Sequence, residues 1–122
     1  MKKIMVVDDE ADQILTVKYT LEQFGEDYDI ITANSGPECL KILETNVPDL
    51  ILLDIMMPEM NGWEVFNKIK ENTEWVDIPI VFLTARADRT AENAGNFLGD
   101  AYIEKPFEFE DFKLRIKKIL KD

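Results

Sequence analysis

The chain has 122 residues, 46% hydrophobic and 32% charged, a composition typical of one globular domain rather than of a disordered chain. Its 14 basic and 25 acidic residues give a net charge of −11, which opposes direct binding to nucleic acid or anionic lipid. The longest apolar runs, such as 4–7 and 50–53, are too short to span a membrane. Acidic residues follow the first run at once, which argues against a signal peptide. We therefore expect one cytoplasmic domain over residues 1–122.

Five apolar segments of strand length alternate with stretches of helical periodicity. Three of them are continuous apolar runs, as expected for parallel strands that helices cover on both faces. The pattern predicts an α/β domain of the (βα)5 type, with one doubly wound sheet. The predicted strands are 3–7, 29–33, 50–53, 80–83 and 101–103.

Helical periodicity fills the segments between these strands. Ser35 followed by Glu38 has the spacing of a capping box and starts the second helix, whose apolar pattern includes the single Cys39. This pattern predicts a small buried core residue rather than a reactive thiol. The other helices are predicted over 14–24, from near Trp63, over about 89–98 and over 109–119. Asn and Gly residues make the helix over about 89–98 the least stable of them.

Polar residues stand at the predicted carboxyl ends of the strands, where doubly wound folds place their functional crevice. Asp8 and Asp9 follow the first strand, Asp54 follows the third, Thr84 closes the fourth, and Lys105 comes two residues after the fifth. Three carboxylates at one edge would repel one another unless a cation lies among them, and oxygen ligands alone favour Mg²⁺. Any one of these residues has a simpler explanation as a helix cap, a strand end or a solvated charge, so only the combination indicates a site.

A carboxylate beside a metal ion is a competent nucleophile toward an activated phosphoryl group. Asp54 is placed for that role. The Thr84 hydroxyl could donate a hydrogen bond to one phosphoryl oxygen, and the Lys105 ammonium could offset the charge on another.

Four segments of the chain resemble the receiver domain of two-component response regulators. They are 3–10, 48–58 with Asn61-Gly62 after it, 80–85 and 102–107, and the match covers essentially the whole chain. The resemblance implies a flavodoxin-like, three-layer sandwich with a five-stranded parallel sheet in the order 2-1-3-4-5. It also implies a signalling switch rather than an enzyme, which accepts a phosphoryl group from a histidine kinase or phosphotransfer protein and signals to a downstream target or output domain.

Carried over residue by residue, the resemblance implies that Asp54 is the phosphoacceptor and a metal ligand. Asp9 and the backbone carbonyl of Met56 would also bind Mg²⁺ directly, with Mn²⁺ as a substitute, and Asp8 would hold the ion through water. Met56 and Arg86 occupy the positions that tune loss of the phosphoryl group in the family. Their bulk predicts slow self-dephosphorylation.

The resemblance also implies that Thr84 and Lys105 contact the phosphoryl group and that the Lys105–Pro106 peptide is cis. Tyr102 would switch orientation with Thr84 and shift the surface of the predicted fourth helix, the fifth strand and the last helix. Leu98-Gly99 departs from the Gly-Ala that often precedes the fifth strand in the family, so the start of that strand could differ.

Three other interpretations stay open at this point. A haloacid-dehalogenase-like phosphatase would need a second aspartate two residues after the nucleophile, where this chain has Met56. A flavodoxin-like binder would place a flavin phosphate against Asp8, Asp9 and Glu10, which would repel it. A degenerate receiver would bind partners without accepting phosphate. We expect a stand-alone or excised receiver that is a monomer or a phosphorylation-dependent dimer.

Overall fold

The computed structural model describes residues 1–85 and 101–121. The strands are β1 (Lys3–Val7), β2 (Asp29–Ala33), β3 (Leu50–Asp54), β4 (Ile80–Ala85) and β5 (Ala101–Lys105). The helices of the described ranges are α1 (Ala11–Glu22), α2 (Gly36–Leu43), α3 (Gly62–Glu71) and α4 (Phe109–Leu120). All strand pairs are parallel, and the sheet order is β2-β1-β3-β4-β5, which confirms the predicted flavodoxin-like topology.

The register of the sheet brings the carboxyl ends of the central strands to one edge. Val7 of β1 lies opposite Leu53 of β3, and Asp54 lies opposite Leu83 of β4. The chain that leaves β1 therefore emerges beside the last residue of β3. This pairing places the acidic residues after β1 next to the one that closes β3.

The core has two layers, one on each face of the sheet. Along β1, Met5 and Val7 belong to the layer that includes residues of α2 and α3, whereas Ile4 and Val6 belong to the layer that includes residues of α1 and α4. Both faces of the central strands are thus removed from solvent, which is why their sequences show no polar alternation. The largest fully buried side chains include Phe24, Phe82, Phe112, Leu21, Leu43, Leu50 and Ile51.

Strands β3, β4 and β5 extend beyond the ends predicted from the apolar runs. The prediction that Lys105 lies two residues after the fifth strand is wrong, because Lys105 is the last residue of β5 and pairs in register with Ala85. Backbone pairing continues through polar residues at strand ends, so a prediction from hydrophobicity alone ends the strand too early. Phe24, predicted within the first helix, lies after α1 and is buried in edge-to-face contact with Phe112.

Side-chain caps fix the starts of α2 and α3. Ser35 Oγ accepts the amide hydrogen of Glu38 (3.2 Å), as predicted, but the Glu38 carboxylate accepts from the Asn34 amide (2.8 Å), one residue earlier than a capping box requires. Helix α3 begins at Gly62, one residue before Trp63, and Asn61 caps it. Cys39 is buried in α2, which confirms its assignment to the core.

The helix predicted over about 89–98 lies outside the described residues, as do Arg86 and Leu98-Gly99. Among the helices in the described ranges, none has both the length and the apolar character needed to cross a bilayer.

Candidate functional site

Three carboxylates meet at the carboxyl edge of the sheet. Asp8 and Asp9 follow β1 and Asp54 closes β3, and one carboxylate oxygen from each lies within 4.8 Å of the others. The adjacency of β1 and β3 produces this cluster from residues that are far apart in the sequence. The structure therefore brings together the acidic residues that the sequence singled out.

Asp8 is almost completely buried and both of its carboxylate oxygens accept hydrogen bonds. Oδ2 accepts from Lys105 Nζ at 3.1 Å, and Oδ1 accepts from the backbone amide of Glu10 at 3.0 Å. These partners compensate for the removal of a charged group from water. Asp8 is not the N-cap of α1, because Glu10 holds that position and its side chain makes no capping hydrogen bond.

The electrostatics of the cluster disfavour a fully charged Asp54. Burial, the neighbouring Asp8 and, to a smaller extent, Asp9 raise the pKa of Asp54, which moves from 3.8 to about 6. Lys105 and a hydrogen bond from the Met56 amide act in the opposite direction without cancelling the effect. A cation among these oxygens would relieve the repulsion, and an all-carboxylate cluster suits a hard ion such as Mg²⁺.

A small open cavity of about 220 Å³ is bordered by Asp8 and Asp54, two of the three clustered carboxylates. Met56 stands at its edge with 66% of its surface exposed, while its backbone amide donates to the Asp54 carboxylate. The cavity is lined by Asp8, Glu10, Gln13, Asp54, Met56 and Lys105. Its walls thus carry both carboxylates and an ammonium group, so an anion bound beside a divalent cation would meet charges of both signs.

The remaining predicted site residues lie on β4 and β5. Thr84 is in β4 in register with Glu104, and its side chain is outside what the structure describes, so the role of its hydroxyl stays a prediction. Tyr102 lies in β5 opposite Phe82 and packs, partly buried, against the core layer of α2 and α3. The Lys105–Pro106 peptide is cis.

The hydrogen bonds of the loop that connects Asp54 to α3 were not predicted from the sequence. Met57 and Gly62 both donate backbone hydrogen bonds to the carbonyl of Ile55, at 3.1 and 2.9 Å. Asn61 and Glu64 form a reciprocal capping box at the start of α3. The spacing of Asn61 and Glu64 matches the capping-box pattern and could have revealed it. The pairing of Lys105 with Asp8 has no comparable local signal, since 97 positions separate the two residues.

Comparison with known proteins places this geometry in a family. The sequence profile of the response regulator receiver domain matches residues 4–117. The chain is 42% identical over 121 residues to the alkaline phosphatase synthesis transcriptional regulatory protein PhoP of Bacillus subtilis, covering 98% of this chain and 49% of that protein. It is 40% identical to Histidine kinase P4 of Formosa agariphila, again over 98% of this chain but only 8% of that protein.

Solved structures agree with the sequence matches. A putative response regulator from Chloroflexus aurantiacus superposes with a TM-score of 0.90 at 29% identity, covering 99% of this chain and 98% of that one. The chain spans about half or less of the length of the two curated relatives, in which a segment of this size is one part of a larger protein. The chain belongs to the response regulator receiver domain family of two-component signalling proteins.

Proposed function

We propose that Asp54 is the residue that accepts the phosphoryl group. The observation that carries this proposal is the cluster of three carboxylates within 4.8 Å, with the Lys105 ammonium 3.1 Å from Asp8. Asp54 closes a central strand and faces an open cavity, so a phosphoryl donor can reach it from solvent. A phosphatase of the haloacid-dehalogenase type would need an acid at the position of Met56, and the family match favours the receiver.

The residues present fit a Mg²⁺ ion, with Mn²⁺ as a substitute. Asp9, Asp54 and the carbonyl of Met56 would bind it directly. Asp8 would act through water, which agrees with both of its carboxylate oxygens already accepting hydrogen bonds. When bound, the ion would neutralise negative charge on the carboxylates and on the transferring phosphoryl oxygens.

The proposed reaction forms one bond and breaks another. An Asp54 carboxylate oxygen attacks the phosphorus of a phosphohistidine, and the electron pair of the phosphorus–nitrogen bond remains on the imidazole. Lys105, which already borders the cavity, would offset charge on one phosphoryl oxygen, and Thr84 would donate to another. The chain would thus promote its own phosphorylation and a slow self-dephosphorylation tuned by Met56 and Arg86, while acting as a switch.

We further propose the signalling consequence. Movement of Thr84 toward the phosphoryl group would allow Tyr102 to reorient and alter the surface that the helix predicted over about 89–98 would form with β5 and α4. The donor of the phosphoryl group would be a histidine kinase or phosphotransfer protein in the cytoplasm. The domain of residues 1–122 would pass the signal to a downstream target or output domain. One relative is a transcriptional regulator and another a histidine kinase, so both kinds of protein carry a similar domain.

Intact-mass spectrometry after incubation with acetyl phosphate tests the proposal. We expect one added phosphoryl group in the presence of Mg²⁺, none in EDTA and none in Asp54→Asn. Asp27→Asn, which removes an exposed carboxylate away from the site, is the matched control and should be phosphorylated like the wild type. A wild-type chain that takes up no phosphoryl group from acetyl phosphate or from phosphoramidate would indicate a degenerate receiver instead.

A further inference from the structure

The start of α3 is packed against the backbone of the proposed phosphoacceptor. A Cβ atom built on Gly62 would lie 2.6 Å from the carbonyl oxygen of Asp54 and 2.8 Å from the Cα of Ile55. Ordinary contacts of a Cβ atom begin at 3.4 Å. The obstacles are backbone atoms, which cannot rotate away as a flexible side chain can.

Space, rather than backbone conformation, requires glycine at this position. The positive φ angles recorded for the described residues belong to Gly25, Glu59 and Lys121, so the backbone of Gly62 is one that alanine can adopt. What alanine cannot do is fit between α3 and the end of β3 without displacing one of them by close to 1 Å.

Hydrogen bonds hold the helix in this close position. The Gly62 amide donates to the carbonyl of Ile55 at 2.9 Å, and Met57 donates to the same carbonyl. The capping box of Asn61 and Glu64 fixes the residue immediately before the helix. The segment between Asp54 and Gly62 is therefore held by β3 where it starts and by α3 where it ends.

We propose that Gly62 is a positioning residue for the phosphoacceptor site. By lacking a side chain, it lets α3 contact the backbone of Asp54 and Ile55, which sets where the Asp54 carboxylate and the Met56 peptide group lie. This role depends on the proposed function, because the site it positions is the metal and phosphoryl site. A displacement close to 1 Å at reacting groups can lower a rate by about 100-fold.

Gly36 offers a matched control elsewhere in the core. Its Cβ would lie 2.8 Å from Cγ2 of Val65 and 2.9 Å from Sδ of Met60, a clash of similar depth. The atoms involved belong to side chains, and the backbone of Asp54 is not among them. Gly36→Ala therefore presses on side chains, which can shift without moving the backbone of the site.

The test compares Gly62→Ala, Gly36→Ala and the wild type by three measurements. These are the melting temperature, the dissociation constant for Mg²⁺ alone from calorimetric titration, and the rate of phosphoryl uptake from acetyl phosphate at saturating Mg²⁺. We expect Gly62→Ala to weaken Mg²⁺ binding about 10-fold and to slow uptake about 100-fold. Gly36→Ala should stay within about 2-fold of the wild type in both, even where its melting temperature falls.

Wild-type values in Gly62→Ala, or equal losses in the two variants, would overturn the positioning role. If Gly62→Ala does not fold, Asn61→Ala, which removes the cap of α3, tests whether the position of α3 controls the site. Weaker Mg²⁺ binding in this variant, folded, supports the positioning role, and unchanged binding overturns it. A wild-type chain that neither binds Mg²⁺ nor takes up phosphate would overturn the proposed function and this role with it. A competent wild type with an equally competent Gly62→Ala would overturn the role alone.

Discussion

Asp54→Asn should stabilise the metal-free protein at neutral and alkaline pH. The wild-type carboxylate is held beside Asp8 and Asp9, and its pKa is raised from 3.8 to about 6. A raised pKa means that the folded state disfavours the charged form. The contribution of this carboxyl to stability is therefore fully present below about pH 4 and is lost as the pH rises through about 6.

The size of the effect follows from the change in pKa. Moving the pKa from 3.8 to about 6 corresponds to at most about 3 kcal/mol of folding free energy. Because Asp54 is only partly buried, screening by solvent reduces this to about 1–2 kcal/mol. For a domain of this size, such a gain raises the melting temperature by roughly 4–10 °C.

Urea denaturation at pH 8 and at pH 4, in EDTA, measures the difference directly. We expect Asp54→Asn to exceed the wild type at pH 8 and to lose most of that advantage at pH 4, while the exposed Asp27→Asn stays close to the wild type at both. An Asp54→Asn variant that is no more stable than the wild type at pH 8, or equally stabilised at both pH values, would contradict a raised pKa of Asp54 in the folded protein.

Three further predictions concern neighbouring groups. Lys105→Met removes the cation from the buried Asp8 and should lower the free energy of unfolding, measured in urea, by about 2 kcal/mol. Adding Asp8→Asn should restore part of this loss, and no restoration would argue against the ion pair as its cause. Saturating Mg²⁺, at about 100 times its dissociation constant, should stabilise the wild type by about 2.7 kcal/mol in thermal denaturation. Asp9→Asn should abolish this gain in stability, and an Asp9→Asn variant that keeps the gain would exclude Asp9 as a ligand. Burial raises the pKa of Cys39 to about 12, so a thiol reagent at pH 8 should react only on unfolding, and prompt reaction with the native protein would contradict the assigned burial.

The alternation of strands and helices could be predicted from the sequence because its signal is local and repeated, whereas the strand order was implied by the resemblance to receiver domains. The apolar run 50–53 and the helical spacing from Phe109 onward each identify their element without reference to the rest of the chain. The ends of the elements were harder to predict, because β5 continues to Lys105 through backbone pairing with β4 rather than through a run of hydrophobic residues.

The candidate site could be predicted only in outline. Parallel strands end at a common edge, so Asp8, Asp9 and Asp54 were expected to be close, and the structure places them together. The partners of Asp8 were not predictable, because the contact with Lys105 depends on how β5 and β1 lie in space. The close packing of Gly62 on Asp54 likewise depends on the path of a loop rather than on residue type alone.

The role of Asp54 as phosphoacceptor is tested most directly by locating the phosphoryl group on the chain. After phosphorylation with acetyl phosphate and Mg²⁺, borohydride reduction converts an aspartyl phosphate to homoserine, and tandem mass spectrometry of the peptides identifies the converted residue. We expect homoserine at position 54 and at no other aspartate, with no conversion in EDTA. Homoserine at position 8 or 9 instead, or equal conversion with and without Mg²⁺, would contradict this expectation.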